Sequence, residues 1–244
     1  MKRYSRLAPV LAIVGGAIVL VVALVVAMQL GHTSNKKSAA NIATDSIAEM
    51  LSGIKQNGIE LGNPKAKVTL VEFSDPQCPF CGEWARNTLP SLIQKYVRTG
   101  KLRIEYRGLD FLDQNFGTTD SERMLKLALA AGFQNQLWNV VELEFENQGA
   151  EGSGYATDAF IRGIAEAVGT KSFDANKALA AAKTNAVVPM INTAQKLAET
   201  KVGKSLSTPT FLIERTGSSK VEKTIVGAQP LSTFTTAIDA LLKK

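Results

Sequence analysis

Apolar and polar positions divide this chain into unequal parts. It opens on Lys2, Arg3 and Arg6, then runs from Leu7 to Leu30 without a charge. Those 24 residues, as a helix rising about 1.5 Å per residue, are enough to cross a ~30 Å hydrocarbon core. The basic residues on the short N-terminal side predict a single-pass anchor, with the N-terminus cytoplasmic and residues 31–244 outside the membrane. The rival reading is a cleaved signal peptide ending near Val25-Val26-Ala27. The run exceeds the roughly 7–15 apolar residues of a signal peptide, which favours a retained anchor.

Beyond the run, His32–Ala40 is polar, and Ile42, Ile47, Met50, Leu51 and Ile54 repeat at loose helical spacing. Residues 32–60 therefore predict a linker leading into a short helix. Val68–Phe73 is β-branched and apolar, a strand with Val68, Leu70 and Glu72 on one face. Ser74–Gln77 is a turn. The next helix places Pro79 at its first position and Cys78 at its cap. Leu89, Leu92, Ile93, Tyr96 and Val97 continue one stripe to Gly100, with a kink expected at Pro90. Leu102, Ile104 and Tyr106 alternate as a second strand.

From about 119 to 203 the spacing is helical: Met124, Ala128 and Ala131, then Leu137, Val141 and Phe145. Phe160, Ile164 and Val168 follow behind a Thr157 cap, with Gly169 as the stop. Val187, Ile191, Ala194 and Ala198 carry the last helix of this block. Thr210–Glu214 and Val221–Val226 predict two more strands, and Phe234, Ile238, Leu241 and Leu242 a closing helix. Without 119–203, an α/β sandwich remains. The predicted domains are 1–31 (N-terminus and anchor), 32–60 (linker), 61–118 with 204–244 (sandwich) and 119–203 (helical insertion).

The net charge of +6 changes this picture little. Lys2, Arg3, Arg6, Lys36 and Lys37 all fall within residues 1–37, which hold no acid. Setting these five aside leaves 23 of the 28 basic residues against 22 acidic ones. So balanced a domain lacks the basic face that nucleic acid requires, and no nucleic-acid partner is expected.

The chemistry concentrates in the two cysteines, Cys78 and Cys81. A Cys-x-x-Cys pair opening a helix just after a strand lets two sulfurs meet in one small ring. Unpaired amides and the macrodipole favour negative charge at a helix N-terminus, which lowers a thiol pKa there. Cys78 is the expected attacking sulfur, exposed at the cap, and Cys81 the resolving sulfur one turn inside. Their redox-active disulfide is the only prosthetic chemistry expected, with no other cofactor. Zinc prefers four ligands, and two cysteines with His32 do not supply them, so no metal is expected. A purely structural disulfide closing so small a loop would stabilise little. Glu72 is either a solvated strand carboxylate or, buried below Cys81, a proton carrier for that thiol; its place beside the motif favours the second. Pro209 is either strand punctuation or a cis-proline facing the sulfurs. Trp84 and Trp138 are expected in the core. The acidic residues Glu142, Glu144, Glu146 and Glu151 read as a solvated face, with cation binding the lesser reading.

The stretch Val71-Glu-Phe-Ser-Asp-Pro-Gln-Cys-Pro-Phe-Cys-Gly82, with Ser207-Thr-Pro-Thr-Phe-Leu-Ile213 far downstream, resembles the DsbA-like branch of the thioredoxin superfamily over about 60–243. The resemblance implies a thioredoxin-like fold with a helical insertion. It implies Cys78 as nucleophile, Cys81 as resolving cysteine, Pro209 as the cis-proline, Thr208 facing the disulfide and Glu72 as the buried acid. It further implies oxidation of thiols in exported proteins and reoxidation by a membrane quinone-linked partner. Phe80 stands where the type member has histidine, so a milder oxidant is expected. A reductase or isomerase of the same fold, a chaperone-like peptide binder and a thiol donor to metal-centre assembly are the alternatives.

Overall fold

A computed structural model describes residues 40–243. The apolar run at 7–30 lies outside them, and no helix among the described residues is long and apolar enough to cross a membrane. The described chain begins with helix α1 (Ala40–Leu51). A small hairpin follows, β1 (Gln56–Asn57) and β2 (Glu60–Gly62), turning through Gly58 at φ +57°. The sheet thus starts ahead of the boundary at residue 61. The hairpin is held from outside the sandwich: Gln56 accepts from the Trp138 amide at 3.1 Å and donates to Asn139 at 2.6 Å.

Strand β3 (Val68–Ser74) is buried at all seven positions, as a central strand covered on both faces must be. It pairs parallel with β4 (Leu102–Gly108) and antiparallel with β5 (Thr210–Arg215), which pairs antiparallel with β6 (Val221–Val226). The strand order is β1-β2-β4-β3-β5-β6. Alternate side chains of β3 enter different cores. Val68 and Leu70 pack with Leu89, Phe211 and Phe234; Val71 and Phe73 pack with Leu212, Ala194 and Ala198.

Helix α2 (Pro79–Asn87) runs from the cysteine motif over the first of these faces. Its Trp84 ring lies 4.6 Å from Phe211 and 6.0 Å from Phe234, centroid to centroid. That aromatic cluster, joining α2, β5 and α10 (Leu231–Leu242), sets the helix on the sheet. The expected kink is a break. α2 stops at Asn87, and α3 (Leu89–Leu92) restarts with Pro90 in its first turn, where a missing amide costs nothing. The backbone then widens into a π turn over Ile93–Val97.

The helical block starts ahead of the expected boundary at 119, with α4 (Phe111–Phe116), and continues as α5 (Asp120–Gly132), α6 (Leu137–Glu146), α7 (Asp158–Ala167), α8 (Ala175–Ala182) and α9 (Val188–Lys201). Thr157 caps α7 as expected, accepting from the Phe160 amide at 3.2 Å. α9 returns the chain to the second face of the sheet through Ala194 and Ala198.

Candidate active site

Between β3 and α2 the chain turns through Asp75-Pro76-Gln77, and the Cys78 amide donates to the Asp75 carbonyl at 3.0 Å. Cys78 sits at the cap of α2 in an extended conformation, and Pro79 takes the first helical position. The thiol of Cys78 donates to the Thr208 carbonyl at 3.3 Å. The Thr208–Pro209 peptide is cis, and the Pro209 carbonyl accepts from the Gly227 amide at 2.8 Å. Cys78 is only 5 % exposed, which corrects the expectation of an open sulfur: Thr208 lies over it, and Phe80, 60 % exposed, faces solvent instead.

The Cys78 thiol is held down to about 6. The largest cause is the Cys81 thiol donating to it. The Thr208 side chain and the backbone amides of Cys81 and Phe80 add to this and outweigh burial. Cys81 is fully buried, and burial pushes its thiol up. The pair is therefore asymmetric, one sulfur ready to ionise and the other reluctant.

Glu72 is buried on the α2-facing side of β3, beside Tyr106 of β4 and Phe211 of β5. Burial raises its pKa to about 8, so the carboxyl is largely protonated at neutral pH. Ser74 is near enough to Glu72 and Cys81 to pull both pKa values down slightly. Neither contact has the geometry of a formed hydrogen bond. Ser74 Oγ, Glu72 Oε2 and Tyr106 Oη are all buried without a hydrogen-bond partner.

A polar network from the insertion grips the turn ahead of Cys78. Asp75 accepts from Ser121 Oγ at 2.5 Å, the Gln77 amide at 3.0 Å and the Leu112 amide at 3.1 Å. Burial nevertheless raises its pKa to about 7. The Gln77 side chain donates to Asp113 at 2.7 Å and Ser121 at 2.8 Å, and accepts from the Gly152 amide at 2.9 Å. Gln148, just past α6, donates to the carbonyls of Pro76 (2.8 Å) and Cys78 (3.0 Å).

Comparison with known proteins adds lineage to this geometry. The thioredoxin family profile matches residues 55–240. The chain belongs to the thioredoxin family. Its fold, helical insertion included, is that of the DsbA-like branch. It superposes on Wolbachia pipientis alpha-DsbA1 with a TM-score of 0.62 at 21% identity, covering 79% of this chain and 92% of that one. For oxidised BdbD from Bacillus subtilis the TM-score is 0.63 at 17% identity, covering 78% and 98%. Among curated relatives, a probable disulfide bond formation protein D from Bacillus cereus is 26% identical over 106 residues, 43% of this chain and 47% of the relative. A putative protein-disulfide oxidoreductase from Rickettsia bellii is 39% identical over 49 residues, 20% of this chain and 19% of the relative. The alignment thus spans about half the length of the Bacillus relative.

On this thioredoxin fold, Cys78, Cys81, Pro79, Thr208 and Pro209 come together, and Glu72 lies in the buried floor. Trp84 and Trp138 are core residues, as expected. The acidic run is a solvated face only in part: Glu146 is exposed and Glu151 half-buried. Glu142 and Glu144 are buried, because α6 is packed by its neighbours, and burial drives both pKa values up. Among the described residues no cluster of acids, cysteines and histidines is placed to hold a metal ion. Sequence reasoning missed Asp75, Gln77 and Gln148. The first two carried a signal, polar residues directly before a reactive cysteine. Gln148 carried none, since it meets Cys78 across 70 positions.

Proposed function

We propose that this chain is an extracytoplasmic thiol:disulfide oxidoreductase that oxidises cysteine pairs of exported proteins through Cys78 and Cys81. The observation that carries the reading is the asymmetry of the two sulfurs. Cys78 is held down to about 6, chiefly by the Cys81 thiol, while Cys81 is buried and pushed up.

In the oxidising direction, a substrate thiolate attacks the Cys78 sulfur of the Cys78–Cys81 disulfide. A substrate–Cys78 bond forms, the protein S–S bond breaks, and its electron pair leaves on Cys81. Cys81, in a site that disfavours its charge, takes up a proton. Glu72, protonated at neutral pH and buried in the floor of the site, supplies it, with Ser74 near both groups. A second substrate thiolate then attacks the mixed disulfide and expels Cys78 as the favoured thiolate. The substrate loses two electrons and two protons: the Cys78–Cys81 pair gains the electrons, one proton restores Glu72, and the other passes to water.

The rim of the site suits unfolded chains. Phe80 and Val226 are large, apolar and exposed. Val226 pairs with Thr210, next to Pro209. Phe116, also exposed, packs against Gly152, whose amide holds Gln77. The apolar run at 7–30 would tether the domain outside the cytoplasm, beside a quinone-linked membrane partner that restores the disulfide.

The deciding experiment equilibrates residues 38–244 with glutathione buffers and measures the potential of the pair. A potential well above the thioredoxin value of ≈ −270 mV supports a disulfide donor. A potential at or below it makes the protein a reductase and overturns the oxidising direction.

A further inference from the structure

Gln148 reaches the motif from the end of α6, and its side-chain amide touches two carbonyls that bracket Gln77: Pro76 at 2.8 Å and Cys78 at 3.0 Å. The Cys78 carbonyl is also the first acceptor of α2, taking the Cys81 amide at 3.0 Å and the Gly82 amide at 3.2 Å. One uncharged donor thus fixes the peptide groups on either side of the turn into the catalytic helix. The other end of the same side chain fills the space over Gly82. A Cβ built there would stand 2.6 Å from Gln148 Oε1 and 2.8 Å from Arg86 Nη1. Arg86 in turn donates to the Phe145 carbonyl at 2.5 Å, tying the same end of α6 to α2.

We propose that Gln148 is a positioning residue for the exchange reaction: by clamping the Pro76 and Cys78 carbonyls it holds the attacking sulfur at the α2 N-terminus, against Thr208. It rests on the exchange chemistry proposed for Cys78 but not on the direction of exchange. The reason is orientation. The Cys81 thiol, the Thr208 side chain and the amides of Cys81 and Phe80 stabilise a thiolate only while the Cys78 sulfur stays in register with them. The extended cap conformation has no side-chain cap bond of its own to preserve it. A clamp through the backbone leaves the sulfur free to react, which a bond to the sulfur would not. A neutral donor suits the place, because a lysine or arginine would add charge beside the thiolate and a carboxylate would repel it.

Two variants of the full chain test this by opposite physical routes. Gln148→Glu keeps the shape but, ionised, gives the two carbonyls no donor. Gly82→Ala leaves Gln148 in the chain and pushes its side chain aside, while replacing a helical glycine by the better helix former. The readout is the ultraviolet absorbance of the Cys78 thiolate against pH in the reduced protein. We expect both variants to raise the Cys78 pKa, by about one unit or a tenfold change in ionisation constant, with Gly82→Ala keeping its melting temperature. An unchanged pKa in both, whatever the melting temperature, overturns the proposal by reducing Gln148 to a structural contact. A rise in Gln148→Glu alone also overturns it, since the new charge and not the lost clamp would then be the cause. If Cys78 of the unaltered protein titrates as an ordinary thiol, the exchange reading of the site fails instead.

Discussion

The sandwich and the helical insertion meet at the same seven residues, Asp75 to Cys81, and treat them differently. From the sandwich side the contacts are mostly apolar or sulfur-directed. Trp84 packs on Phe211 and Phe234, Cys81 is buried, and Thr208 meets the Cys78 sulfur. From the insertion side they are hydrogen bonds to backbone, amide and carboxylate groups, through Ser121, Asp113, Gly152 and Gln148. In the proposed reaction the sandwich supplies the reacting atoms, and the insertion fixes the peptide frame that presents them. Burial alone holds a helix on a sheet, but it is non-directional. Only directional bonds orient a turn, and buried polar groups are costly unless every one is paired.

Four perturbations break or sharpen this contrast. The largest effect falls on the sandwich side: Cys78→Ser should abolish exchange, while Cys81→Ser should trap substrates as mixed disulfides on Cys78, seen as non-reducing gel shifts. A Cys78→Ser protein that still oxidises a dithiol peptide would remove the sandwich from the chemistry.

Next comes the insertion's grip. Gln77→Ala leaves Ser121, buried, and Asp113 and the Gly152 amide, half-buried, each short of a partner. We expect a loss of about 3 kcal/mol in denaturant unfolding, since each buried unpaired group costs ~1–3 kcal/mol. A loss below ~1 kcal/mol would show that the network orients without stabilising.

The third perturbation uses pH. Glu72 binds its proton up to about 8 in the folded protein, against 4.5 for the ordinary group. Between those values the folded state holds more protons than the unfolded one, so this group makes stability fall as pH rises. Asp75, raised from 3.8 to about 7, acts in the same direction. Cys78, lowered from 9.0 to about 6, acts oppositely, adding stability as pH rises through that window. Glu72→Gln should therefore flatten the decline of stability between about 4.5 and 8, measured by unfolding at a series of pH values. An unaltered profile would place Glu72 in water.

The smallest effect is expected at the rim. Phe80→His adds a cation beside Cys78 below the histidine pKa of ≈ 6.5. It should lower the thiol pKa by a few tenths of a unit to about one unit and raise the potential of the pair. No change in either would show that the thiolate is set by the Cys81 thiol, Thr208 and the helix amides alone.

Much of the frame was legible because burial writes itself into local pattern. Val68–Phe73, the helix behind Thr157 and the strand at Val221–Val226 stand where their periodicity puts them. Misreadings arose where neighbours outside the local window decide. The alternation of β3 could not show that both of its faces are covered, and the charges of α6 could not show that Glu142 and Glu144 are enclosed. The hairpin at Gln56–Gly62 is too short for a periodicity and depends on Trp138 and Asn139.

By itself, then, the sequence determined the chemistry: two sulfurs spaced to meet, the first at a helix start behind a strand, on a domain of nearly balanced charge. These follow from residue identity and short-range geometry. The tertiary structure alone decided how ready each sulfur is. Cys78 is covered by Thr208 from 130 positions away, and its carbonyl is held by Gln148 from 70. Glu72 keeps its proton because strands β4 and β5 flank it and burial makes its charge costly. A pKa is a property of surroundings, and the surroundings of these sulfurs exist only once distant segments have packed.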